Sequence, residues 1–276
     1  MRIQSVNCQA NYKKNSYIQN RKASPANFTA NPEMFVKTVA KKIPSGVKIK
    51  IPSEWEKFCG HKLIIGDSVI SSKLNSRTTV LGDCIVKEDI PIVNHLDVGG
   101  NLTLKKNSAV YDVGSVNVAK DLDAFDAEIM GECIVGGKFY SNGEISGNVA
   151  AQTIDLWGRL VKKGTLNAEV INVWGLARID GYSDVIAHEA NLYGEISGHS
   201  NIISETVNLI RCTASEDAEI FCKRIDKISG IKDFKGKIYT ESCPDDFYQK
   251  YHDLIVIKDS GWFDNYVKER GVQIAA

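Results

Sequence analysis

Apolar and polar residues alternate along most of this chain, and the alternation repeats. "IDLWG" (154–158) puts Ile154 and Leu156 on one side of an extended strand, and Asp155 and Trp157 on the other. The phrase returns as "INVWG" (171–175), with Ile171 and Val173 against Asn172 and Trp174. It returns again as "ANLYG" (190–194), with Ala190 and Leu192 against Asn191 and Tyr193. "VNLIRC" (207–212) continues the series with Asn208 and Ile210, and "GKFYSNG" (137–143) opens it with Tyr140. The steps Tyr140–Trp157–Trp174–Tyr193–Ile210 are 17, 17, 19 and 17 residues. Fainter copies stand at "GNLTLKK" (100–106), "AKDLDAF" (119–125) and "RIDKISG" (224–230).

Short alternating runs at one period predict a mainly β fold, a single-stranded parallel β-helix of about 18 residues per coil. One coil cannot bury its apolar side chains alone; stacked coils bury them together. A β-sandwich or compact barrel also uses short strands, but gives no reason for one phrase to recur at near-constant spacing. Gly158, Gly175 and Gly194 mark a corner of the coil, where positive φ is cheap for glycine. The outward Asp155, Asn172, Asn191 and Asn208 form a ladder whose amides can hydrogen-bond along the axis.

The pattern changes at both ends. Residues 1–46 are rich in Asn, Gln, Lys and Ser and read as a basic, largely disordered arm with a short helix at 32–42. Ser53 and Glu56 have the spacing of a capping box. The solenoid is expected over 47–240. Over 241–276, "CPDDFYQKYHDLIVI" (243–257) and "SGWFDNYVKERGV" (260–272) read as two short amphipathic helices that cap the last coil or pack on the side of the stack.

The 276 residues carry 34 Lys/Arg and 34 Asp/Glu, a net charge of +0 that hides an asymmetry. Residues 1–50 hold ten basic residues and one acid, +9; the rest holds 24 against 33, −9. Such an arm suits an anionic surface, lipid or nucleic acid, or folds back on its own body. The seven Cys (8, 59, 84, 133, 212, 222, 243) have no CxxC spacing and read as small buried hydrophobes in a reducing compartment. With no secretory h-region and no apolar run long enough for a membrane span, the chain reads as cytoplasmic, peripheral at the inner membrane if the arm binds lipid.

Catalytic signals are sparse. No phosphate loop, nucleophile elbow or dinucleotide fingerprint is present, so no cofactor is expected. The densest acid cluster is "DLDAFDAE" (121–128), where Asp121 and Asp123 share a face and offer an acid pair or cation site. The five His are dispersed, and His188 and His199 fall in adjacent coils with no third ligand beside them. The aromatic stripe of Tyr140, Trp157, Trp174, Tyr193 and Ile210 is open to three readings. The C-terminal helices bury it, or it binds a second copy or a partner protein, or it stacks sugar rings.

The stretches "VGGNLTL" (98–104), "CIVGGKFYSNGEISGNV" (133–149) and "LYGEISGHSNI" (192–202) resemble the bactofilins, polymer-forming bacterial cytoskeletal proteins. The resemblance implies a right-handed β-helix that assembles without nucleotide and serves as a scaffold. This chain departs from that pattern in its long basic arm and its helical C-terminal segment.

Overall fold

The computed structural model describes residues 61–231 and 233–274. The arm at 1–46, the helix at 32–42 and the turn at Ser53 lie outside the described residues. The rest is a parallel β-solenoid whose coil has three faces. Strands of the first two faces form a 17-stranded parallel sheet, and those of the third an 8-stranded one. Coil length varies: His61 pairs with Arg77, 16 residues on, whereas His95 pairs with Ser115, 20 on.

In the first coils the two large faces are separate strands, such as His95–Val98 and Leu102–Leu104. From Asn148 they merge into nine-residue strands: Asn148–Leu156, Thr165–Val173 and Asp184–Leu192. The wall still bends within these strands. Val149 and Ala151 point inward, then Ile154 and Leu156 do. The bend admits only small side chains, and the stacked residues there are Ala151, Ala168, Ala187, Ser204, Cys222 and Thr240. Lower down, hydroxyls replace methyls and serve carbonyls freed at the bend. Ser204 Oγ donates to Thr206 O at 2.8 Å, and Thr240 Oγ1 to Ser242 O at 2.9 Å.

The core is a set of apolar columns running the length of the stack. Val149, Leu166, Val185, Ile202, Ile220 and Ile238 form one, each on the coil after the last. All are essentially inaccessible, and each contributes roughly 1.5–3 kcal/mol by leaving water. Four of the five described cysteines, Cys84, Cys133, Cys212 and Cys222, are buried here, and burial pushes the Cys84, Cys212 and Cys222 thiols up to about 12.

Corners carry their own ladders. Between the first and second faces, Asp67 Oδ1 accepts Asp83 N at 2.9 Å, Asp83 Oδ1 accepts Asn101 N at 2.7 Å, and Asp121 Oδ1 accepts Lys138 N at 2.8 Å. After the second face, Asp89, Asn107 and Asp126 take φ of 60°, 58° and 53°, the left-handed conformation that Asp and Asn tolerate best after glycine.

Two short helices follow the coils. The helix α1, Asp245–Tyr251, starts at Pro244 with two acids in its first turn. Phe247, Tyr251 and Leu254 pack against the main core, so α1 lies over the last coil. The helical pattern read through residue 257 stops early: Ile255–Ile257 is a strand that pairs with Ile238–Thr240. Its β-branched run suits a strand, and pairing there satisfies an edge that would otherwise be bare. The helix α2, Trp262–Arg270, ends at Gly271, whose φ of 62° lets its N–H reach back to Lys268 O.

Candidate interaction surface on the solenoid side

The column Asp155–Asn172–Asn191–Asn208 is in register, coil on coil. Asn172 Nδ2 donates to Asp155 Oδ1 at 2.7 Å, Asn191 Nδ2 to Asn172 Oδ1 at 2.9 Å, and Asn208 Nδ2 to Asn191 Oδ1 at 2.8 Å. Each amide donates upward and accepts from below. Asp155 ends the run and pairs with Lys138. Burial alone would raise its carboxyl, but the hydrogen bonds from Lys138 and Asn172 and the charge of Lys138 hold it below the usual range.

Two residues outward lies the aromatic corner. Trp157 stacks on Trp174 at 5.4 Å and Trp174 on Tyr193 at 4.9 Å, with planes 21° and 17° from parallel. Ile210 follows Leu209, which pairs with Leu192, and so continues the column below Tyr193. Tyr140 does not belong to it. The register sets Tyr140 against Asp155, at the head of the amide ladder, because the coil is only 15 residues long at this point. Asn142 occupies the place above Trp157, and Tyr140 stacks instead on Phe125 at 6.4 Å.

The corner glycines differ in their reasons. None of Gly158, Gly175 and Gly194 has positive φ. At Gly158 a Cβ would collide with Gly143 O of the coil above, so close approach requires the glycine. Gly175 meets nothing within 4 Å. It belongs with Leu176 to a two-residue insertion: Trp157-Gly158-Arg159 becomes Trp174-Gly175-Leu176-Ala177-Arg178, with Arg159 and Arg178 still in register. Ala177 N closes the bulge on Trp174 O at 2.6 Å. Leu176 is pushed out to 93% exposure, beside Trp157 at 44% and not far from Phe125 at 48%.

The C-terminal segment does not cover this corner. It packs on the first face, where the outward column turns apolar in the lower coils: Ile186, Ile203, Phe221 and Tyr239 are in register. Phe263, Trp262, Tyr266 and Val267 of α2 close over them, with Tyr266 stacked on Phe221 at 4.5 Å. The tail reaches as far as Asn167, whose Nδ2 donates to Gln273 O at 3.0 Å. Sequence reasoning missed this column, though the signal was present in "VIA", "IIS" and "IFC", where alternation breaks.

The acidic cluster serves the backbone. Asp121 accepts Lys138 N, Asp123 Oδ1 accepts Phe125 N at 3.2 Å, and Asp126 takes the left-handed corner. His188 pairs with Glu205 and His199 stacks on Tyr182. Among the described residues no group of three His, Cys, Asp or Glu is placed to hold a metal.

A polar network unforeseen from sequence occupies the upper first face. His95 Nδ1 contacts Ser115 Oγ, and His95 Nε2 lies 2.7 Å from Asp97 Oδ1. Asn117 Nδ2 donates to Asp97 at 2.9 Å and Arg77 at 3.2 Å. Burial would raise Asp97, but the bonds from His95 and Asn117 and the nearby cations bring it to about 2. The order Ser–His–Asp resembles a nucleophilic triad. It lies on an open strand face whose backbone N–H groups are spent on the parallel ladder, which leaves no paired donors for an oxyanion.

No family model matches the chain, and no curated protein matches it. Among solved structures the chain is similar to the Tapirin C-terminal domain of Caldicellulosiruptor hydrothermalis, at 12% identity and a TM-score of 0.45, over 72% of this chain and 62% of that one. The chain thus spans less than two thirds of the length of that structure. No helix among the described residues is long and apolar enough to cross a membrane.

Proposed function

We propose that this chain is a structural scaffold that associates with itself or with a partner protein through the aromatic corner of its solenoid. The observation that carries the reading is Leu176, held at 93% exposure on an inserted turn beside the Trp157–Trp174–Tyr193 stack. Scattered exposed leucines need no explanation, but an apolar residue raised on its own bulge next to an exposed Trp marks a contact. The resemblance to bactofilins supports a scaffolding role. Because α1 lies over the last coil, the association proposed is lateral rather than through the C-terminal end. The five described cysteines, all free and four of them buried, fit the cytoplasmic placement that belongs to the same reading.

A sugar-binding platform is the weaker reading. It needs ring faces turned to solvent, whereas rings stacked at the spacing of neighbouring strands cover each other's faces and show their edges.

The test is electron microscopy of the full chain at micromolar concentration beside Leu176→Glu. Paired or bundled rods in the first and single rods in the second support the reading. Association that Leu176→Glu leaves unchanged overturns it.

A further inference from the structure

We infer that the molecule on this corner is a second copy of the chain, packed antiparallel about a two-fold axis that passes between the coils of Glu144 and Arg159. The inference rests on the lateral-scaffold reading and gives it a partner and a register.

The third face, which follows the aromatic corner, presents one outward column: Glu128, Glu144, Arg159, Arg178 and Glu195 on successive coils. Its charges run in blocks, two acids and then two arginines. Glu128 and Glu144 are neighbouring carboxylates with no ion pair among the described residues, an arrangement that costs stability in the free chain. Arg159 and Arg178 have partners in their own chain, Asp180 at 3.3 Å and Glu195 at 2.7 Å. Both arginines are about half exposed, and a guanidinium has donors to spare for a second carboxylate.

A two-fold axis perpendicular to the solenoid reverses the order of coils in the second copy. Placed between the coils of Glu144 and Arg159, it sets Glu144 against the partner's Arg159 and Glu128 against the partner's Arg178. Symmetry repeats both pairs. Moved one coil up, the axis would set Glu against Glu or, one coil down, Arg against Arg. The same operation brings exposed Phe125 to the coil of the partner's Leu176, and exposed Asn142 to that of the partner's Trp157. The apolar corner and the charged column therefore select one registration together.

Sedimentation velocity of the full chain over a wide concentration range tests this, with Glu144→Arg, Arg159→Glu and the double swap, and thermal unfolding to show that each variant folds. The expected result is a reversible dimer, weakened at least about tenfold by either single reversal and restored by the swap. A wild-type chain that stays monomeric throughout overturns the inference. So does a dimer that the swap fails to restore. In that case dissociation by Leu176→Glu would show that the corner still serves and only the register is wrong, whereas indifference to Leu176→Glu would remove the reading beneath it.

Discussion

Trp157 stacks on Trp174 with ring centroids 5.4 Å apart, close to the distance that separates their strands. The stack is set by the backbone, since equivalent positions on successive coils must lie one strand spacing apart. The corner beyond the rings decides how closely the coils approach. Gly158 has no room for a methyl group against Gly143 O, while Gly175 on the bulge has open space. Gly158→Ala should therefore cost about 2–4 kcal/mol, through coil separation. Gly175→Ala should be neutral within about 0.5 kcal/mol. Paired denaturant titrations check both.

The amide ladder makes a second prediction. Asn172 donates to Asp155 and accepts from Asn191, so Asn172→Ala breaks the chain at both sides and should cost about 2 kcal/mol. Asn172→Asp keeps the shape but places a carboxylate beside Asp155, whose ionised form is already favoured by Lys138 and its hydrogen bonds. At neutral pH it should be less stable than the alanine variant by about 1 kcal/mol, and the gap should close in acid as one of the two carboxylates takes a proton. Urea midpoints at neutral and acidic pH measure the difference.

Asp97 gives the pH dependence a location. Its folded pKa of about 2 lies below its model value of 3.8. A depressed carboxylate stabilises the fold fully above the unfolded pKa and loses that contribution as pH falls through the folded one. The window is thus roughly pH 4 to 2, and the contribution is of the order of 2 kcal/mol. The groups facing this carboxylate are His95, Arg77, Asn117 and Thr79. Asp97→Asn should lower stability at neutral pH and flatten the acid limb between those values. An unchanged acid limb would refute the assignment.

What the chain shows before folding follows from these cases. Ile154, Ile171 and Ala190 alternate with polar neighbours, and strand physics converts that alternation into coils and registers without further information. The Asp155–Asn172–Asn191–Asn208 ladder was legible for the same reason. Tyr140 was not, because its offset depends on how many residues the turn before Asn148 consumes, and turn length carries no periodic signal. Gly158 and Gly175 look alike in sequence and differ only in what the neighbouring coil brings near. The Ser115–His95–Asp97 network joins residues 20 apart in coils whose length departs furthest from the mean. The side on which α2 packs was readable in principle, from the lapse of alternation at Ile186, Ile203 and Phe221.

That packing yields the last prediction. Phe263 is the buried anchor of α2, at 1% exposure, and sits in a cluster with Ile203 and Phe221 that is separate from the main core. Its backbone N–H donates to Glu241 Oε1 at 2.7 Å, which satisfies one of the free donors at the helix start, and Lys223 pairs with Asp264 in the same first turn. Phe263→Ala removes a buried ring and should cost the docked helix about 3–5 kcal/mol, more than so small an interface can spare. Glu241→Ala should cost about 1 kcal/mol and leave the helix docked. Because the cluster is separate, the coils above should hold. Hydrogen exchange should show residues 262–274 losing protection in Phe263→Ala while Val149, Leu166 and Val185 keep theirs. Simultaneous loss in the upper coils would mean that α2 is part of the folding unit of the whole solenoid rather than a strap on its side.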